Sequence, residues 1–342
     1  MQKTSFFKRF MSGMTAKLII ILIILTLITM VISSGVLKGA PISAMFTDGF
    51  MSSANLRQIF YSLVIQLMIM CGIAAILIGG NIDLSVAGQA ALATMLFAYM
   101  CEKTTLPWGI IAVITLVIGA FFGLVNAFLV LKLKFPSFIA TIGMASVYRG
   151  LCNIITDGYN IQVARTSFNN VAKISFGVFP FTFVLAIVLI IVFQIILSKT
   201  NFGRSIYMTG GNPWAARLAG INIARVTLIL FIINGVMAAL GGLCWTSQMK
   251  LASPNAIITS APDMKVISAT LLGGVAFMGG TGNLGGPFVA ILLLNVLDNM
   301  LTVIGVQTYW NTVAQGALLA VALILDYIGT ERRKKAMLLN QN

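Results

Sequence analysis

Residues 18–36 read LIIILIILTLITMVISSGV, nineteen positions without a charge, directly after a tail carrying Lys3, Lys8, Arg9 and Lys17. An uncharged apolar run of about 18 residues or more is long enough to cross the hydrocarbon core of a bilayer as a helix. A basic tail before an apolar run also has the outline of a signal peptide. This run is longer than the roughly 7–15 residues of such a leader's apolar region, so an uncleaved first span is expected. Nine further hydrophobic segments follow, and the ten spans read as 18–37, 58–79, 84–101, 108–131, 136–156, 178–198, 224–249, 263–280, 285–304 and 309–328. The third and eighth contain polar or Gly-rich patches and are the candidates for broken or re-entrant helices, which membrane proteins tolerate where protein or water surrounds the irregular backbone.

The rest of the chain agrees. Of 342 residues, 59% are hydrophobic and 9% charged, with a mean hydropathy of +1.00. A soluble domain carries about 25% charged residues. The expected fold is therefore all-α: a polytopic integral membrane protein of about ten transmembrane helices. A cytoplasmic tail (1–17) leads into one transmembrane domain (18–328), and a basic tail (329–342) ends it. No hydrophilic stretch is long enough for a separate soluble domain.

The formal charge is +14. In a soluble protein that would suggest nucleic acid, but no basic helix or aromatic platform outside the spans supports nucleic-acid binding. Membrane proteins gather Lys and Arg on the cytoplasmic side. With the N-terminus inside and ten crossings, the inside segments hold the larger part of the 22 basic residues, including the cluster Arg332, Arg333, Lys334 and Lys335. Both termini are expected in the cytoplasm.

Catalysis finds little footing. Histidine is absent, which removes the commonest general base and metal ligand. There are no closely spaced paired carboxylates, and Cys71, Cys101, Cys152 and Cys244 lack metal or redox spacing and read as small packing residues. No site for a metal or resident cofactor is expected. Gly280, Gly282 and Gly285 fit G-x-G-x-x-G. That motif binds dinucleotides only inside a βαβ unit, and here it joins two spans, so a tight turn is expected. No G-x-x-x-x-G-K-S/T stretch exists, so the chain has no P-loop of its own.

Three features carry functional weight. Gly79-Gly80-Asn81-Ile82-Asp83-Leu84-Ser85 interrupts two apolar runs. An ionisable residue near the bilayer core is costly and marks function or a buried partner. Asp83 is therefore read either as a cap for the third span or as a solute or gating residue, with Gly80, Asn81 and Ser85 beside it. The second feature is the most basic inside loop, 199–223. There Asn212 is suited to an N-cap, Pro213 to the first turn and Gly220 to the position after the last, enclosing a short helix over Trp214, Ala215, Ala216, Arg217, Leu218 and Ala219. Such a helix reads as an interfacial linker or a docking helix for a cytoplasmic partner. The third feature is a set of intramembrane polar residues: Gln66, Asn126, Asn234, Asn295, Asp298, Asn299, Asn311 and Gln315. Neutral amides suit interhelical hydrogen bonds and equally an uncharged polyol. Phe97, Tyr99, Phe121, Phe122 and Phe277 are candidates for stacking on a sugar face. Gly119 and Gly123 form a small-x-x-x-small pair, a helix-packing device.

Four stretches together resemble the sugar-importing permeases of ABC transporters, the ribose-type permeases, whose wider family includes branched-chain amino-acid permeases. They are Gly80 to Val86; Pro136-Ser137-Phe138-Ile139-Ala140-Thr141; Gly203-Arg204 with Gly210 to Ile221; and Leu272-Gly273-Gly274 through Gly279 to Gly286. Two departures stand out. Asn81 lies between Gly80 and Ile82 where the family shows Gly-Gly-Ile-Asp-Leu-Ser. At Ile257–Lys265 the family shows a Gly-rich start with a Glu-Leu pair, and this chain reads Ser260-Ala261-Pro262-Asp263-Met264-Lys265. The resemblance implies a transport subunit, not an enzyme, in a bacterial inner membrane. Two permeases, here expected to be a homodimer, would sit in lipid with two ABC ATPase subunits and an extracytoplasmic solute-binding protein. ATP and Mg would be held on the ATPase subunits. Asn212, Pro213, Trp214, Ala215, Ala216, Arg217, Leu218 and Gly220 would couple to them, and Gly80, Asn81, Asp83, Ser85, Asn295, Asp298 and Asn299 would line or gate the pathway. The implied solute is a monosaccharide, pentose or hexose. A furanose-like quorum signal, a nucleoside, a branched-chain amino acid or a proton-coupled carrier are the alternatives.

Overall fold

The computed structural model describes residues 14–35, 41–47, 49–260 and 262–303, with isolated positions beyond. Helix α1 (Met14–Ser33) forms from the opening apolar run and turns Ile21, Ile23, Ile24 and Leu27 outward, as a lipid-facing helix does. The main helices that follow are α2 (Ser53–Ile78), α3 (Val86–Lys103), α4 (Trp108–Leu131), α5 (Ser137–Thr156), α6 (Phe181–Lys199), α7 (Asn201–Gly211), α8 (Pro213–Leu218), α9 (Ile223–Met249), α10 (Pro262–Leu272) and α11 (Gly285–Val303).

Helices α2, α3 and α9 form the interior. From Leu63 to Ile78 every residue of α2 is buried, and α3 is buried almost throughout. Helix α9 packs on α4, α2 and α3, α11 packs on α1, α10 and α2, and α5 and α6 flank α3 and α2. The α4–α9 crossing is close because glycines face it. A Cβ on Gly119 would lie 2.6 Å from both Ala239 Cβ and the Gly235 carbonyl oxygen, and one on Gly123 would run into the Phe231 carbonyl. Lipid supplies no hydrophobic drive between helices, so backbone approach at small residues is what binds them. This is the packing role expected of Gly119 and Gly123.

Among the described residues seven helices are long and apolar enough to cross a membrane: α1, α2, α4, α5, α6, α9 and α11. They match seven of the ten expected spans. The third expected span becomes α3, a full-length helix whose Gln89, Thr94 and terminal Glu102-Lys103 dilute its hydropathy. The eighth differs. Helix α10 stops at Leu272 after eleven residues, about 16 Å at 1.5 Å per residue against a core of about 30 Å. Residues 273–284 continue as turns, with Val275 and Leu284 fully buried while Phe277 and Met278 are exposed. The tenth, 309–328, lies outside the described residues but for isolated positions, and Asn311, Gln315 and nearly all of both tails lie outside them too.

Two short ribbons complete the described chain. Strand β1 (Ile161–Gln162) pairs antiparallel with β4 (Leu251–Ala252), and β2 (Ser175–Phe176) with β3 (Phe179–Pro180). They lie in the connections read as outside.

Candidate functional site

Three polar sites interrupt this apolar body. The first is a cavity of about 870 Å³ between the N-terminal half of α2, the end of α9, α10 and α11. Its walls include Gln58, Tyr61, Ser62, Gln66, Trp245, Ser247, Gln248, Lys265, Asn295, Asp298 and Asn299. The side chains are tied together. Asn295 Nδ2 donates to Gln66 Oε1 (2.7 Å), and Gln66 Nε2 and Ser62 Oγ donate to Asn295 Oδ1 (both 3.2 Å). Asn55 and Asn299 exchange a reciprocal amide pair (3.0 and 2.8 Å). Lys265 is buried and forms an ion pair with Asp298 while reaching Asn295 Oδ1 at 3.4 Å. A lone charge would be prohibitive at this depth, and pairing is what makes Lys265 tolerable there. The connection before α6 borders the cavity, and there Tyr61 Oη donates to the Ala172 carbonyl (2.5 Å).

The second site surrounds Asp83, which is 1% exposed. Ser85 N and Oγ donate to its Oδ1 (2.8 and 2.6 Å). Gln89 Nε2, Asn126 Nδ2 and Asn234 Nδ2 donate to its Oδ2 (3.2, 3.2 and 2.9 Å). The backbone N–H groups of Ile82 and Leu84 donate to Ser137 Oγ and Thr141 Oγ1 on α5 (3.2 and 3.1 Å). Tyr148 Oη, also on α5, donates to Asn126 Oδ1 (3.3 Å). One carboxylate thus joins the α2–α3 break to α3, α4, α9 and, through Asn126, α5. Five donors satisfy it, and no ion pair to it occurs among the described residues. Among the described residues no group of His, Cys, Asp and Glu could hold a metal ion.

The third site lies at the opposite end of α2 from the large cavity. Asn212 caps α8, its Oδ1 accepting the Ala215 N–H (3.0 Å), with Pro213 in the first turn. Gly220 follows at φ +78°, the left-handed conformation a glycine adopts freely. Ala216 is buried while Trp214 and Leu218 are each 70% exposed. A smaller cavity of about 440 Å³ separates this end from the α2–α3 break, lined by Gly80, Asn81, Thr209, Gly210, Pro213 and Met278 among others.

The structure therefore divides the sequence-derived residues. Asn295, Asp298 and Asn299 share the large cavity. Gly80 and Asn81 border the small one. Asp83 and Ser85 are in neither, being enclosed in the hydrogen-bonded cage; the N-cap of α3 is Ser85, not Asp83, and Asp83 accepts the Ser85 N–H in the turn just before the helix. Of the aromatic candidates, Phe97 packs on Phe168 and Phe122 on Tyr148, and neither lines the cavity. The aromatics that do are Tyr61 and Trp245, which sequence reasoning did not single out. Their only signal was position, each on the polar end of an otherwise apolar span.

Comparison with known proteins bears on what this arrangement serves. The family described as "Branched-chain amino acid transport system / permease component" matches residues 55–323. The L-arabinose transport system permease protein AraH of Escherichia coli K12 is 32% identical over 291 residues, 83% of this chain and 85% of its own. The ribose import permease protein RbsC of Bacillus subtilis 168 is 31% identical over 83% of this chain and 88% of its own. The autoinducer 2 import system permease protein LsrC of Photorhabdus luminescens is 31% identical over 81% and 83% respectively. No solved structure matches the chain.

Proposed function

This chain belongs to the family of ABC-importer permeases, a multi-pass transport subunit of bacterial inner membranes, and from that premise we propose that it moves a monosaccharide into the cytoplasm by alternating access. The observation that supports a sugar is the large cavity. Its volume falls within the roughly 300–1,000 Å³ of small-molecule sites. Its walls present amides, hydroxyls, two aromatic faces and three lysines, Lys173, Lys250 and Lys265, the last of them paired with Asp298. Such walls can exchange hydrogen bonds with many hydroxyl groups, and Tyr61 and Trp245 offer apolar faces for a pyranose or furanose ring. Similarity to permeases named for arabinose and ribose points the same way.

The wider assembly follows from this reading. The chain pairs with a second copy of itself, receives solute from an extracytoplasmic binding protein, and is driven by ABC ATPase subunits that hold ATP and Mg. Asn212 to Gly220 is the docking element. Its exposed Trp214 and Leu218 have no role in this chain's own core and are suited to a groove on the ATPase. ATP can shift such a permease only if the ATPase contacts the two access states differently, and a capped helix fixed by Ala216 is a lever able to transmit that difference.

The test is uptake in proteoliposomes holding the permease, the ATPase and the binding protein encoded with it. Labelled L-arabinose, D-galactose and D-ribose would be compared with leucine. ATP-dependent accumulation of one sugar, unaffected by ionophores, is expected. Accumulation of leucine alone, or accumulation that needs an ion gradient and no ATP, would overturn the sugar or the ABC part of the reading respectively.

A further inference from the structure

We propose that three glycine pairs distant in sequence, Gly79-Gly80, Gly210-Gly211 and Gly279-Gly280, form a rigid coupler that carries movement of the docking helix to the solute cavity, a role resting on the transport reading above. Each pair lies at a helix end or in a connection between helices. Gly79-Gly80 ends α2 and opens the turn to Asp83. Gly210-Gly211 ends α7, one residue before the Asn212 cap of α8. Gly279-Gly280 lies in the irregular connection between α10 and α11.

The three pairs meet backbone to backbone. Gly280 N–H donates to the Ile78 carbonyl (2.8 Å). A Cβ on Gly279 would lie 2.8 Å from Gly80 Cα and 3.1 Å from Gly210 Cα. One on Gly210 would lie 2.7 Å from Gly280 N and would run into the Ile78 carbonyl oxygen. Gly80, Gly279 and Gly280 adopt φ of +79°, +84° and +76°, so both space and conformation call for glycine there. One side chain locks the contact: Tyr207 Oη on α7 donates to the Gly282 carbonyl (2.7 Å).

The consequence is mechanical. Direct backbone contacts and the Gly280 N–H to Ile78 carbonyl bond tie α7 to both breaks beside the small cavity, so the three segments move as one unit. From the α2–α3 break the displacement enters the Asp83 cage and thereby α3, α4 and α9. From the 279–280 turn it enters α10 and α11, which carry Lys265, Asn295 and Asp298 into the cavity wall. Glycines used only for dense packing would not need to bring these three segments together beside the docking helix.

The experiment measures ATP hydrolysed per sugar imported in the proteoliposomes described above, using whichever of L-arabinose, D-galactose or D-ribose the unaltered complex accumulates. Gly210→Ala wedges the junction, and Tyr207→Phe removes only the locking hydroxyl while keeping the ring. The expected result is continued ATP hydrolysis with the ratio raised about tenfold in Gly210→Ala and about threefold in Tyr207→Phe. A purely structural role lowers both activities together and leaves the ratio unchanged, and an unchanged ratio in Tyr207→Phe would overturn the proposal even if Gly210→Ala fails to assemble. Failure of the unaltered complex to import any of the three sugars would overturn the functional reading itself, and the coupler with it.

Discussion

Asp83 is a carboxylate held in the bundle interior by neutral donors alone. Each amide that turns its NH₂ toward Asp83 turns its oxygen away, and the oxygens of Gln89 and Asn234 are left without partners. The cage is therefore directional: it requires an acceptor at its centre. Replacing Asp83 by Asn keeps the shape but puts an NH₂ where Oδ1 or Oδ2 accepted. At least one buried donor then loses its partner, at about 1–3 kcal/mol per group. We expect Asp83→Asn to lower the detergent melting temperature and the membrane yield, and Asp83→Ala to lower them further. Unchanged melting of purified Asp83→Asn would show that the cage needs no acceptor there. The sequence made Asp83 conspicuous, because an ionisable residue between two apolar runs is costly. Its partners were visible only as isolated polar residues. Nothing local joins position 83 to 126 or 234; only the α4–α9 crossing does.

Helix α8 was legible as an element for the opposite reason. Its start and stop are encoded within nine residues, and both the Asn212 cap and the left-handed Gly220 occur where their chemistry places them. Helix α10 was not legible, because an apolar run of span length says nothing of where its backbone hydrogen bonds stop. Its end depends on Gly273 packing against Gly286 and Pro287, a contact between segments. Helix α8 also yields a clean prediction. Trp214 and Leu218 are exposed and hold nothing in this chain together, so the double substitution Trp214→Ala with Leu218→Ser should leave stability within about 0.5 kcal/mol, as for other surface changes. Uptake should fall at least tenfold, and the ATPase should be lost from the purified complex. Full uptake with the ATPase retained would remove the docking role. By contrast, Asn212→Ala should cost about 1 kcal/mol of local helix stability and reduce uptake more mildly, measured in the same assay.

At the scale of the whole molecule, the cavity and the docking helix occupy opposite ends of α2, and the ion pair Lys265–Asp298 joins the two helices that reach the cavity from the Gly-rich turn between them. Lys265 stands at the end of the stretch where the chain departs from the pattern described above. Two functions can be separated by substitution. As structure, the pair matters because either charge alone is stranded: breaking a buried pair by removing one partner costs about 3–5 kcal/mol. Asp298 is 23% exposed and Lys265 only 5%, so losing Lys265, which strands the part-solvated carboxylate, lies toward the low end of that range and losing Asp298 toward the high end. Lys265→Met and Asp298→Leu should each reduce the folded yield, Lys265→Met leaving an unpaired carboxylate and Asp298→Leu an unpaired buried ammonium. Exchanging both for apolar residues of similar size removes the stranded charge, and such replacements are commonly neutral or stabilising. The double variant should therefore recover yield and melting temperature. Uptake should not recover with it, because the cavity wall loses the Lys265 ammonium and the Asp298 carboxylate together. The half-saturating sugar concentration is expected to rise tenfold or more, about 1.4 kcal/mol of lost binding. A double variant that folds and imports sugar with unaltered half-saturation would show that the pair only braces α10 against α11. One that folds with weakened half-saturation would place the pair in contact with solute.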